Sequence, residues 1–263
     1  MTRSTGSVSS AERRSTVARV VRVSPRATAL RRSADDTDPV ERIIVANADQ
    51  MGIVCAVADP PPRPRFIDRC LVAAYDAGLR PLQCLTKADL ASADELLHAY
   101  APLGIGHVVL GRPLDAARLA PLRQHVDGRI SVLIGQSGVG KSTLVNALTP
   151  AADRAVGTVS PVTGRGRHTS SSVVALPLPG GGWIIDTPGL RGFGLGHVAP
   201  DRVVRAFTDL APGTAACPSG CDHDQPDCAL DDWVRDQGGD PRLAARLDSL
   251  RRLLRSRDAA EAW

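Results

Sequence analysis

The run Gly135-Gln136-Ser137-Gly138-Val139-Gly140-Lys141-Ser142 follows directly on the apolar stretch Ile130–Ile134 and leads into a helix-forming segment, Lys141–Leu148. A G-x-x-x-x-G-K-[ST] octapeptide in that setting constrains the fold more than any other part of the chain. Its glycines allow successive backbone N–H groups to converge on one anion, and the following helix turns its positive N-terminal end to the same point. Strand, tight loop and helix start must then sit in register. An open, largely parallel sheet with helices on both faces supplies that arrangement.

The rest of the chain alternates accordingly. Strands are expected at Arg42–Ala46, Met51–Ala58, Pro81–Leu85, His107–Leu110, Ile130–Ile134, Val173–Leu178 and Trp183–Ile185, and helices at Phe66–Ala77, Ala93–Ala101, Leu114–Gln124 and Lys141–Leu148. Four prolines among residues 60–64 form a stiff connector ahead of the first helix. The region 1–38 is rich in Ser, Arg and Thr and offers one strand, around Ala18–Val23. After Pro200 the chain turns helical, then cysteine-rich. In the tail Pro241–Arg257, Leu243, Leu247, Leu250 and Leu254 share a helical face as packing residues. Three units are expected: a basic arm at 1–38, an α/β nucleotide-binding unit at 39–197, and a small helical metal-binding unit at 198–263.

Lysine is almost absent. Lys87 and Lys141 stand against 30 arginines. Arginine replaces lysine readily on a solvated surface, but a planar guanidinium does not fit where a compact ammonium must enter between phosphate oxygens. Both lysines fall in motifs of nucleotide-site type. Lys141 is expected to bridge the β- and γ-phosphates, with the Ser142 hydroxyl on Mg²⁺. Gly135 to Thr143 as a whole would cradle the phosphates. Lys87 lies in Thr86-Lys87-Ala88-Asp89, a variant of N-K-x-D in which the Asp89 carboxylate would accept two hydrogen bonds from guanine N1–H and N2–H₂. Adenine has no such donors. Thr86 replaces the usual asparagine, which is expected to shorten or lose one base-edge contact. Asp186-Thr187-Pro188-Gly189 ends a predicted strand, where Asp186 would hold Mg²⁺ through water and the Gly189 N–H would sense the γ-phosphate. Between these motifs lie His168 and Thr169, the threonine positioned to reach Mg²⁺ from a switching segment.

The order of the motifs is unusual, because the base-specificity loop precedes the phosphate loop. Ligands of such sheets gather at the carboxyl ends of the strands, so a circular permutation moves the termini and keeps every loop in place. Downstream, Cys217-x3-Cys221-x-His223-x4-Cys228 supplies three thiolates and one imidazole, a closed set suited to structural Zn²⁺. Cys55, Cys70 and Cys84 are expected to be buried small hydrophobes.

Aromatic residues make up 3% of the chain, which argues against base stacking as a main mode of nucleic-acid binding. The net charge of +4 is concentrated in residues 1–34, which carry eight arginines against Glu12 alone, a charge of +7. A basic arm on a near-neutral body suits contact with a phosphate backbone. No apolar run is long enough to span a membrane, and the start lacks the apolar core of a signal peptide, so a cytoplasmic location is expected.

Permuted motif order followed by a Cys/His cluster resembles the ribosome small-subunit-dependent GTPase A family. The supporting residues are Ala46-Asn47-Ala48-Asp49-Gln50, Thr86–Asp89, Gly135–Thr143, the stretch from Gly164 to Thr169, Asp186–Leu190 and the zinc set. The resemblance implies a circularly permuted P-loop GTPase fold with a helical zinc unit, and GTP hydrolysis with Mg²⁺ stimulated by the small ribosomal subunit. It further implies late maturation of that subunit as the role and ribosomal RNA as a partner; a monomer is expected. It assigns a catalytic role to histidine at position 168, where Leu190 cannot orient water. Family members begin with a five-stranded OB barrel, of which residues 1–38 are expected to retain only a remnant. From the residues alone two other readings stay open: a P-loop ATPase or kinase, and a zinc-dependent RNA-binding module with a relic nucleotide site.

Overall fold

The computed structural model describes residues 22, 25–32, 42–150, 173–187, 195 and 198–258. Among them, a short antiparallel pair, β1 (Ala29–Arg32) with β2 (Arg42–Ala46), precedes the main sheet. The main sheet contains β3 (Gln50–Ala56), β4 (Arg80–Thr86), β5 (Gly106–Val109), β6 (Arg129–Gly135), β7 (Val174–Pro177) and β8 (Gly182–Asp186). Its order is β5-β4-β3-β6-β8-β7, parallel throughout except for β7, which runs antiparallel to β8 at one edge.

Strand β3 lies between β4 and β6 and is buried at every position, as an inner strand covered on both faces must be. The pleat sends Met51, Ile53 and Cys55 into one core and Val54 and Ala56 into the other. Helices α1 (Pro64–Asp76) and α2 (Asp94–Tyr100) cover the first face. Helices α3 (Ala116–Val126) and α4 (Lys141–Leu148) cover the second through Leu119, Leu122, Val126, Leu144 and Leu148. Helix α1 starts with Pro64, whose fixed φ suits a first turn, and α3 starts at Asp115, whose carboxylate accepts from the Arg118 N–H at 2.9 Å.

The C-terminal part contributes α5 (Pro200–Val204), α6 (Leu230–Asp236) and α7 (Pro241–Asp258). Leu247, Leu250 and Leu254 of α7 are buried, joined by Leu253, and they enter the same core as Ile67 and Leu71 of α1. Each fully buried leucine contributes about 2 kcal/mol of apolar transfer. Polar contacts fix the register of this packing. Arg252 lies 3.3 Å from the buried Asp68 carboxylate and stacks on the Tyr100 ring, and the Arg69 guanidinium donates to the Ser256 carbonyl at 2.8 Å.

The expectation of a single strand in residues 1–38 needs correction, because β1 forms at Ala29–Arg32. Two of its four residues are arginines, so no apolar alternation marks it. It is held from outside, by β2 and by the Thr28 hydroxyl donating to the Ala48 carbonyl at 2.8 Å. The expected strand at Ala18–Val23 lies outside the described residues apart from Arg22. No helix among the described residues is long and apolar enough to cross a membrane.

Candidate nucleotide site and metal centre

Five loops leave the main sheet at the carboxyl ends of its parallel strands, and contacts join all five. Gly135 closes β6 where a Cβ would lie 2.8 Å from the Val54 carbonyl, so only glycine lets the loop leave beside β3. Gly140, with φ of 91°, turns the chain into α4 in the left-handed region. Lys141 is buried there. Its ammonium contacts the Asp186 carboxylate and the Thr187 carbonyl, bringing together two motifs 45 positions apart. The Thr187 hydroxyl donates to the Leu133 carbonyl of β6 at 2.8 Å, locking the end of β8 to the strand that carries the phosphate loop. Ser142 and Thr143 are exposed at the start of α4.

Thr86 is nearly buried at the end of β4, and its hydroxyl donates to the Val139 carbonyl at 2.5 Å. The Cys55 carbonyl lies 3.3 Å from the same oxygen. A hydroxyl has one hydrogen, and the shorter contact takes it. Thr86 therefore ties the loop Thr86–Asp89 to the loop Gly135–Ser142, and its hydroxyl is engaged within the protein. The β-branched residue is short enough to make that bond within the packed sheet edge.

Lys87 adopts φ of 60°, and its ammonium contacts the Asp59 carbonyl, with the Asp59 carboxylate 3.7 Å away. Asp89 is exposed. One carboxylate oxygen accepts from the Arg112 backbone N–H at 2.8 Å, and this bond holds its pKa below the usual aspartate value. Asp89 is thus anionic across neutral pH. The loops that supply Asp59 and Arg112 were not singled out in the sequence. Their only signal is position, directly after β3 and β5, at the sheet edge where ligands gather. His168, Thr169 and Gly189 lie outside the described residues.

The four predicted metal ligands converge. One ligand atom from each of Cys217, Cys221, His223 and Cys228 lies within 4.8 Å of all the others. Cys217 Sγ is 3.6 Å from His223 Nδ1 and 3.9 Å from Cys228 Sγ, and Cys228 Sγ is 3.9 Å from the same nitrogen. A tetrahedral site with Zn–S bonds of about 2.3 Å requires edges of about 3.6–3.8 Å, so the set fits a four-coordinate metal. His223 holds φ of 65° and its N–H donates to Cys221 Sγ at 3.3 Å. Arg251 of α7 clamps this loop. Its Nε donates to the His223 carbonyl at 3.0 Å and its two terminal nitrogens grip Asp231 at 2.9 and 2.6 Å. Arg255 grips Asp224 bidentately through Nε and one terminal nitrogen, each at 2.8 Å.

Cys55 and Cys84 are buried, and burial pushes their thiols up to about 11 and about 12, while Cys70 is fully buried on α1. Their expected role as small core residues holds.

Comparison with known proteins agrees with this architecture. The family model described as RsgA GTPase matches residues 23–196. A Pseudomonas aeruginosa protein named small ribosomal subunit biogenesis GTPase RsgA is 44% identical over 195 residues, which is 71% of this chain and 57% of that protein. A Pseudomonas fluorescens protein of the same name is 42% identical over 214 residues, covering 78% of this chain and 61% of its own length. The chain therefore spans less than two thirds of the length of these relatives. Among solved structures, YjeQ from Thermotoga maritima aligns with a TM-score of 0.59 at 24% identity, over 91% of this chain and 78% of that one. YloQ, described as a circularly permuted GTPase, aligns at 0.58 and 23% identity, over 92% and 76%. Those two likenesses concern the fold. With the family model covering most of its length, the chain belongs to the RsgA GTPase family.

Proposed function

We propose that this chain hydrolyses GTP as an assembly factor in late maturation of the small ribosomal subunit. The observation that carries the reading is the Thr86 bond to Val139, which joins a guanine-type loop to a phosphate loop at one edge of a permuted sheet. Asp89 reads the guanine edge and Lys87 covers the base with its alkyl stem. Lys141 and the N–H groups of Gly135 to Thr143 hold the phosphates, while Ser142 and Asp186 hold Mg²⁺, with Thr169 reaching it from the switching segment. Bound there, Mg²⁺ would neutralise charge on the phosphates. Gly189 senses the γ-phosphate and His168 orders the attacking water. The metal centre holds one structural Zn²⁺, which fixes the C-terminal loop.

The unit from residue 39 to 197 is the GTPase. The unit from 198 to 263 is the zinc-binding one, and residues 1–38 are a basic arm that meets ribosomal RNA. The protein acts as a monomer in the cytoplasm. GTP turnover with and without purified small subunits tests the reading: stimulation by the subunit supports it. His168→Ala should keep GTP affinity and lose stimulated turnover. Equal affinity for ATP and GTP would reject the guanine assignment in favour of another P-loop activity. Absence of any turnover would favour an RNA-binding module.

A further inference from the structure

His223 presents one ring nitrogen to the cysteine cluster. Its Nδ1 lies 3.6 Å from Cys217 Sγ and 3.9 Å from Cys228 Sγ, so the opposite edge of the ring carries Nε2 away from the thiols. The side chain is 5% exposed, and Nε2 sits 3.8 Å from Asp201 Oδ1. A neutral imidazole that binds metal through Nδ1 must carry its proton on Nε2. In metal centres that proton is characteristically given to a carboxylate, which fixes the tautomer and the ring plane. The Asp201 carboxylate is 76% exposed and free to swing, and 3.8 Å is about 0.6 Å beyond hydrogen-bond reach. A small rotation closes the gap.

Asp201 stands in the first turn of α5, the first helix after Asp186 among the described residues. Its neighbour Arg202 bonds Asp76 at the end of α1 at 2.9 Å, and Val203 and Val204 are buried in the core shared with α1. The short helix is therefore held on one side by α1 and faces, on the other, the ring of His223. We infer that Asp201 is the positioning carboxylate of the metal-bound His223, and that through it metal occupancy fixes α5, the segment by which the chain leaves the nucleotide site. This rests on the reading of the Cys/His cluster as a metal centre.

Zinc affinity by competition with a chromogenic chelator tests the inference on the full chain, using wild type, Asp201→Asn and, as a surface-charge control, Asp232→Asn. Asp201→Asn should bind Zn²⁺ about 10–100-fold more weakly, the range found when such partners are removed, and Asp232→Asn should match wild type. With Co²⁺ as probe, Asp201→Asn should shift the visible absorption bands while keeping thiolate-to-metal charge transfer. Metal loading of wild type should slow amide exchange in α5. Wild type binding no metal would refute the metal centre itself. Wild type binding tightly, with Asp201→Asn equal to it, or α5 exchange indifferent to metal, would overturn the role of Asp201 alone.

Discussion

Replacing Thr86 by valine removes one hydroxyl and little else. Valine keeps the shape and the β-branch that suit the end of a buried strand, so the packing against Cys55 and Val139 survives. What disappears is the bond to the Val139 carbonyl, at 2.5 Å and in a nearly water-free setting. The net loss of such a bond is about 0.5–1.5 kcal/mol, and a carbonyl left facing a methyl group raises it to about 1–2 kcal/mol. If the loss falls on the nucleotide-competent form of the loop, GTP and GDP affinity drop about five- to thirty-fold. The melting temperature falls by roughly 2–8 °C if the loss also appears in the free protein. Because the hydroxyl faces the phosphate loop, GTP and ATP should weaken by the same factor, leaving their ratio unchanged. Thr86→Asn, whose amide N–H₂ can reach the same carbonyl, should recover most of the affinity. Titration calorimetry of both variants with GDP, GTP and ATP checks this. A Thr86→Val protein with intact phosphate binding and an altered GTP-to-ATP ratio would refute the reasoning and return the hydroxyl to the base edge.

Lys141→Arg should lose at least tenfold in GTP affinity, roughly 1.4 kcal/mol, because the wider guanidinium does not fit the buried space beside Asp186 and Thr187; affinity equal to wild type in calorimetry would contradict this. A Cβ on Gly213 would sit 2.5 Å from Trp233 Cγ, so Gly213→Ala should cost about 1–3 kcal/mol by overpacking, visible as a lower melting temperature. In protein loaded with Zn²⁺, a thiol reagent should find Cys55, Cys70 and Cys84 silent, and chelation should expose the thiols of Cys217, Cys221 and Cys228; early labelling of Cys84 would show that the sheet opens. Arg251 holds the Asp231 carboxyl below its ordinary value of 3.8. A depressed acid pKa adds stability that is fully present above the ordinary value and fades as pH falls through the folded one. Arg251→Met should therefore flatten the acid limb of the melting profile below about pH 4 and leave its slope between pH 6 and 8 unchanged.

Much of the architecture was legible because it is local. The octapeptide at Gly135 needs an apolar strand before it and a helix after it, and β6 and α4 form there with bounds within a residue of those expected. The inner strands are largely apolar and the helices repeat at their own period, so the six strands of the main sheet could be placed. The leucines of α7 showed the buried face in advance, and the spacing of Cys217, Cys221, His223 and Cys228 was sufficient to name a ligand set that the fold brings within 4.8 Å. Fold class and ligand types follow from residue chemistry repeated along one segment.

Only tertiary structure could decide which distant groups meet. Nothing in Thr86 says that its hydroxyl turns to Val139 rather than to a base, since that depends on β4 and β6 flanking β3 in the sheet. The arginines of α7 lie off its leucine face, and nothing local says that Arg251, Arg252 and Arg255 are tied to Asp231, Asp68 and Asp224, partners 20 to more than 180 positions away. Strand β1, with no apolar alternation, exists because β2 offers it an edge. Periodicity and motif spacing are properties of one stretch of chain and survive in the sequence. A hydrogen bond between stretches depends on the direction of each strand and the helix packed behind it, and those are settled only when the whole core closes.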